Sequence, residues 1–300
     1  MTSLRRKQSL RQRLPKRKIE VFHVIFYVGK PHYCGFFCIF VALINGNMKQ
    51  ITDFKLIAKQ DFGRSVMLRL RSEQPLPEIK PGQFVQVRVD GSPSTYLRRP
   101  ISIHDVDEGQ NEMSLLVQQI GEGTRHLAQA EEGDLINIVL PLGNGFSLPE
   151  KGENCLLVGG GIGIAPLYYL AKVMEENGIR PTLLLGGKSA SDLIRLADYQ
   201  QLGETFVTTE DGSLGEKGFV TMHSIWQKQS FDKIYVCGPK PMMKAVAKLA
   251  AEKGVWCEVS LENLMACGLG ACLCCVEDTV DGHVCVCKEG PVFNTRRLKW

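Results

Sequence analysis

Six of the eleven cysteines in this 300-residue chain fall between Cys267 and Cys287. Cys267, Cys272 and Cys275 read C-x4-C-x2-C, and Cys285 and Cys287 follow a short insert that reads as a hairpin. This is the plant-type spacing for four thiolates around a 2Fe–2S cluster. Gly268 and Gly270 lie in the four-residue gap, where backbone without side chains wraps tightly and turns N–H groups towards sulfur. A secreted disulfide framework spreads its cysteines through a small domain, whereas clustering in a long chain points to metal and a reducing compartment. Four thiolates also suit structural zinc, so a zinc-bearing interaction module is the competing reading from another class.

A chain of this length exceeds one ordinary core and predicts two or three domains. Its net charge of +4 is unevenly placed. Residues 1–47 hold nine of the 36 basic residues and one of the 32 acidic ones, so the remainder carries 27 bases against 31 acids. No basic face for nucleic acid is implied there. The apolar run 34–44 is 11 residues long, against about 20 for a helix spanning a bilayer. Residues 1–47 read as an N-terminal extension outside the fold, with a peripheral membrane tether as the alternative. Everything from Met48 onward reads as a cytoplasmic protein.

Residues 54–58, 65–70, 83–89 and 113–117 are short runs with partial two-residue alternation, separated by Pro, Gly and Asp. They predict a small antiparallel β-barrel over 48–149. Within it, Arg99-Pro100-Ile101-Ser102 places an arginine and a hydroxyl on a proline-stiffened strand, able to pair a pyrophosphate and reach a flavin ring edge. The alternative is an edge strand with solvent-facing arginines. Gly121-Glu122-Gly123-Thr124 opens a predicted helix and presents N–H and O–H donors to a phosphate, which favours the flavin dinucleotide.

After a linker at 149–152, the apolar strand 155–158 runs into Gly159-Gly160-Gly161-Ile162-Gly163-Ile164-Ala165-Pro166 and an amphipathic helix over 167–177. Strand, glycine turn and helix give a dinucleotide fingerprint its context. The spacing here is G-x-G-x-x-P. Alternation continues through 182–185, 191–199, 205–209, 234–236 and 241–252, predicting a doubly wound nicotinamide-binding domain over 150–256. Cys237-Gly238-Pro239 falls at a strand end, where Cys237 is either structural or a soft, uncharged neighbour of a nicotinamide ring. Lys188 and Ser189 are placed to read a ribose or its phosphate, leaving NAD and NADP both open. The histidines are scattered and receive no chemistry. A small C-terminal 2Fe–2S cluster domain over 257–300 completes a mixed β and α/β chain.

In order along the chain, Arg99-Pro100-x-Ser102, Gly121-x-Gly123-Thr124, Gly161-x-Gly163-x-x-Pro166 and Cys237-Gly238-Pro239 resemble the ferredoxin reductase superfamily. The stretch 260–272 and Cys287-Lys288-Glu289-Gly290-Pro291-Val292-Phe293 narrow the likeness to electron-transfer subunits of class B dihydroorotate dehydrogenases. That resemblance covers 48–295 and implies one FAD, one 2Fe–2S cluster, NAD as diffusible substrate and a partner catalytic subunit carrying FMN, two of each chain together. It implies flavin contacts at Arg99, Pro100, Ser102, Gly121, Gly123 and Thr124, nicotinamide contacts at Gly161, Gly163 and Cys237, and cluster ligands at Cys267, Cys272, Cys275 and Cys287. Alternation in 284–287 leaves Cys285 and Cys287 on one strand face; the family's cysteine before an acidic-Gly-Pro-Val-Phe run selects Cys287. The pathway implied is pyrimidine (UMP) biosynthesis. A ferredoxin:NAD(P) transhydrogenase or sulfur reductase subunit is the related alternative; such relatives tend to carry Asp at the first cluster position, where this chain has Cys267.

Overall fold

The computed structural model describes residues 49–300, so the expectations for the N-terminal extension lie outside the described residues. Period-two patterning is what closes the first part. In β1 (Gln50–Asp61), Phe54 and Leu56 are buried while Lys55 faces water, and in β2 (Ser65–Ser72) Val66, Leu68 and Leu70 turn inward. With β3 (Phe84–Val87), β4 (Arg99–Asp107), β5 (Glu112–Gln118) and β6 (Leu135–Leu142) they form a closed antiparallel barrel in the order β1-β2-β5-β4-β3-β6. Closure removes the unpaired edges. A short helix, α1 (Glu122–Leu127), joins β5 to β6.

Beyond the barrel the period changes. β7 (Cys155–Gly160) is buried along its whole length, as a parallel strand covered on both faces must be. It leads through a tight glycine turn into α2 (Ala165–Glu176), with Pro166 in the first turn, where a missing N–H costs nothing. β8 (Thr182–Gly187), α3 (Leu196–Leu202), β9 (Glu204–Thr209), β10 (Glu216–Lys217), α4 (Ile225–Lys228), β11 (Lys233–Cys237), α5 (Lys240–Glu252) and β12 (Trp256–Ser260) complete a doubly wound sheet. The helix expected over 191–199 is instead a short turn, then α3, because Arg195 takes a left-handed backbone (φ 59°) between them.

The cluster segment is woven into that sheet. The hairpin of β13 (Val276–Thr279) and β14 (Gly282–Cys285) leads into one helical turn, α6 (Val286–Glu289). β15 (Val292–Asn294) then returns antiparallel to β12, giving the order β10-β9-β8-β7-β11-β12-β15. The expected boundary at 256/257 therefore falls inside β12, which belongs to the sheet. Phe84 and Leu142 of the barrel share one buried core with Val158, Val236, Val259, Val286 and Cys287, so barrel, sheet and cluster segment are packed together.

A second junction joins β4 of the barrel to α2 and Arg195. The pairing of β4 with β5 slips between Ile103 and Asp105, a bulge centred on His104. Its ring stacks on Tyr168 at 4.7 Å, Nδ1 donates to the Ala165 carbonyl at 2.9 Å, and Nε2 accepts from Arg195 at 2.6 Å. Beside it, Lys172 pairs with Asp105 at 2.8 Å. Burial pushes His104 down to about 4. Above pH 6.5 the ring is neutral folded or unfolded and its titration contributes nothing. Between pH 6.5 and 4 the unfolded chain takes up a proton that the folded one refuses, so stability falls with pH by about 3 kcal/mol in all. Urea unfolding at pH 7 and pH 5 is expected to show about 2 kcal/mol of that loss, and His104→Asn should flatten it.

Candidate functional site

The cluster loop folds as its glycines require. Gly268 (φ 69°), Gly270 (φ 83°) and Leu273 (φ 57°) are left-handed, which curls residues 267–275 back on themselves. Backbone N–H groups then point at sulfur: Leu269 donates to Cys267 Sγ at 3.3 Å, Gly270 to Cys287 Sγ at 3.1 Å, and Cys287 to Cys275 Sγ at 3.3 Å. Cys275 and Cys287 are buried, Cys267 is half-buried, and Cys272 and Cys274 are exposed. Burial raises the Cys267 thiol, but N–H donation from Leu269 and Cys272 outweighs it and brings it down to about 6. Burial, reinforced by the adjacent Cys275, pushes Cys287 up to about 12. Among the described residues no group of three or more Cys, His, Asp or Glu side chains is gathered closely enough to hold a metal ion.

Cys285 and Cys287 do not share a strand face. β14 ends at Cys285, and the Val286 N–H donates to the Cys275 carbonyl at 3.0 Å, which turns the chain into α6. The Cys285 thiol donates to the Gly270 carbonyl at 3.7 Å, whereas the Cys287 sulfur accepts from the N–H of that same glycine. An S–H that donates and a sulfur that receives N–H groups are chemically different. The second is what a thiolate ligand needs.

The two flavin motifs meet. A Cβ on Gly123 would lie 2.7 Å from Arg99 Nε and 2.9 Å from Thr95 Cγ2, so the glycine opens the space that the guanidinium crosses. Arg99 makes no ion pair with a carboxylate among the described residues, leaving its charge for an anion. Arg98 is half-buried and donates to the Asn137 carbonyl at 3.0 Å, within the barrel wall. Pro100 and Ser102 lie opposite Gln86 and Phe84 of β3. Thr124 differs from expectation. Its hydroxyl donates to the Gly121 carbonyl and accepts from the N–H groups of Ile120 and Gly121, all at 3.1 Å, so it caps α1 instead of offering a free O–H.

At the carboxyl ends of β7, β8, β9 and β11 lies a cavity of about 590 Å³, where a doubly wound sheet binds its ligand. Gly161, Gly163, Gly187, Thr208, Gly238 and Pro239 line it. Gly163 is compulsory: a Cβ there would stand 2.5 Å from the backbone of Cys237 and Gly238. Cys237 itself corrects the expectation of a thiol beside the nicotinamide. It is 1% exposed, its sulfur lies in the core, and only the following Gly238 and Pro239 reach the cavity. The carboxylates of Asp192 and Glu210 also line the cavity, and Asp192 accepts from the Lys188 and Ser189 N–H groups at 2.9 and 3.2 Å. Sequence reasoning named Lys188 and Ser189 but missed this carboxylate, whose signal was its place five residues after the strand-end Gly187.

Comparison with known proteins agrees with this arrangement. Residues 157–248 match the family described as the oxidoreductase NAD-binding domain, and 262–299 match the iron-sulfur cluster binding domain of dihydroorotate dehydrogenase B. The NADH-dependent reduced ferredoxin-NADP oxidoreductase structure described for flavin-based electron bifurcation superposes with a TM-score of 0.75 at 31% identity, over 86% of this chain and 92% of that one. A ferredoxin reductase of carbazole 1,9a-dioxygenase shares the fold at 20% identity, with a TM-score of 0.60 over 71% of this chain and 68% of that one. Fold and sites together define a ferredoxin reductase-like flavoprotein oxidoreductase with FAD, NAD and an iron–sulfur cluster. A dihydroorotate dehydrogenase B (NAD(+)) electron transfer subunit of Fusobacterium nucleatum is 42% identical over 71% of this chain and 84% of its own length, and one of Bacillus caldolyticus is 38% identical over 84% and 97%. The chain belongs to the family of dihydroorotate dehydrogenase B electron transfer subunits.

Proposed function

We propose that this chain carries electrons from dihydroorotate, oxidised on a partner catalytic subunit holding FMN, to NAD+ in pyrimidine (UMP) biosynthesis. The observation that carries the assignment is the trio of N–H donors aimed at Cys267, Cys275 and Cys287 in a loop that rests on Gln86 and Leu142 of the barrel. Cys267, Cys272, Cys275 and Cys287 would hold the 2Fe–2S cluster, with Arg99, Pro100, Ser102, Gly121 and Gly123 at FAD. Bound flavin supplies hydride exchange with the nicotinamide and release of electrons one at a time.

The chain's own residues set the geometry. Arg99 offers its charge to the pyrophosphate across Gly123, and Pro100 stiffens the strand behind it. The backbone contact of Gly163 with Gly238 forms the floor on which a nicotinamide would be held against the barrel. Asp192 and Glu210 favour a ribose hydroxyl over a phosphate, which supports NAD over NADP. Leu264, Leu269 and Leu273 are exposed around the cluster loop, an apolar rim suited to docking the catalytic subunit, two of each chain per complex.

We assign the chain to the cytoplasm, a reducing compartment in which clustered thiols persist; no helix among the described residues is long and apolar enough to cross a membrane. We divide the chain into a flavin barrel over 48–149, a nicotinamide sheet from 150 that runs through β12, and a cluster segment that returns β15 to that sheet. The match to a ferredoxin-NADP oxidoreductase favours the transhydrogenase reading, but Cys267 at the first cluster position speaks against it.

The isolated chain is expected to oxidise NADH with artificial acceptors and to leave dihydroorotate untouched. Dihydroorotate oxidation by this chain alone would refute the division of labour. Purification from the native cell should bring the FMN-containing partner with it.

A further inference from the structure

Gln86 lies in the middle of β3 and is fully buried, yet neither Oε1 nor Nε2 has a hydrogen-bond partner. Native folds rarely leave a buried carboxamide unsatisfied at both ends, and such a group needs an explanation. Its position supplies one. Across the ladder Gln86 faces Pro100, inside the flavin motif, on one side and Val139 on the other. Above it is the cluster loop: a Cβ on Gly268 would fall 2.8 Å from Gln86 Cγ and 3.1 Å from Nε2, and 3.1 Å from Leu142 Cδ1. Gly268 directly follows Cys267 and has a left-handed backbone, so the loop is glycine where it rests on this amide. The neighbours Phe84 and Leu142 are apolar and satisfy nothing. This buried amide is thus unpaired, with apolar Phe84 and Leu142 as neighbours, on the strand between the one that carries Pro100 and the loop that follows the first cluster cysteine.

We propose that Gln86 is a positioning and tuning residue that donates a side-chain N–H to a sulfur of the cluster edge at Cys267. The inference rests on the cluster assignment above. Hydrogen bonds to cluster sulfurs withdraw negative charge and stabilise the reduced state, so the donor raises the reduction potential. The chain thereby tunes the cluster from the flavin barrel and not only from the cysteine segment. The arrangement also ties the loop to the strand that carries Pro100, holding the two redox sites in fixed register.

The test compares the holoprotein with Gln86→Leu, which keeps the volume and removes both polar atoms. Redox titration followed by electron paramagnetic resonance should show the cluster couple shifted about tenfold towards the oxidised form, a fall of about 59 mV for one electron, with the FAD couple unmoved. An unchanged cluster potential, or a shift confined to the flavin, overturns the proposal. If the variant fails to load its cluster, wild-type protein labelled with 15N at glutamine side-chain amides decides. A hyperfine coupling of that nitrogen to the reduced cluster supports the bond, and its absence overturns it. Wild-type protein without any cluster signal would instead sink the cluster assignment itself, so the two failures are distinguishable.

Discussion

Cys287→Ser is expected to empty the cluster site, while Cys285→Ser leaves it loaded. The two cysteines are separated by one residue, yet the fold treats them differently. Cys287 sits in the one-turn helix α6, buried, with its sulfur receiving the Gly270 N–H and its own N–H given to Cys275 Sγ. Serine there substitutes a hard oxygen for a soft thiolate, and leaves the Gly270 N–H aimed at a poorer partner. Changes merely adjacent to metal ligands cost about 10–100-fold in affinity or activity. Losing a ligand should therefore cut electron delivery between the chains by more than about 100-fold. Iron and acid-labile sulfide should fall to background, with NADH oxidation by an artificial acceptor retained. The Cys285 thiol donates a hydrogen bond to the Gly270 carbonyl, a role a serine hydroxyl reproduces, so iron content and turnover should stay near wild type. The reverse outcome would make Cys285 the ligand.

Gly163→Ala should break nicotinamide use without touching flavin or cluster. The new methyl would stand 2.5 Å from Cys237 C and O and from Gly238 Cα, backbone atoms at the end of a central strand that cannot yield as a side chain could. The turn after β7 must lift off the loop after β11, and the cavity floor opens. Displacements of about 1 Å near reacting groups cost on the order of 10²-fold in rate. Stopped-flow reduction by NADH should slow by about that factor, while flavin absorbance and reduction by dithionite persist. Gly161→Ala is the control. Nothing lies within 4 Å of its Cβ, so it bears only the left-handed strain of its φ of 54°, about 1–2 kcal/mol. Equal damage from both variants would mean that the contact with Cys237 and Gly238 is not what holds the nicotinamide site together.

Several features were legible along the chain because the chemistry is local. Alternation marks Phe54 and Leu56 as inward-facing, and an unbroken apolar run marks β7 as central. The strand, glycine turn and Pro166 that start α2 lie within a dozen residues. Two local readings failed for an equally physical cause. Extended alternation placed Cys285 and Cys287 together, but the Val286 N–H finds the Cys275 carbonyl and the strand stops. Cys237 ends a strand as expected, yet its side chain points into the core, and the strand's facing is set by its neighbours β7 and β12.

By itself the amino-acid order determined the cluster type, the two nucleotide motifs and the class of the fold, because ligand spacing and glycine turns act within the reach of a few peptide units. Only the tertiary structure shows that the Gly270 N–H reaches the Cys287 sulfur, that Arg99 crosses Gly123, that His104 and Arg195 join across 91 positions, and that Gln86 rests beneath Gly268. Those contacts are made by packing between elements far apart in the chain, where burial and hydrogen-bond satisfaction choose among partners that no local pattern distinguishes.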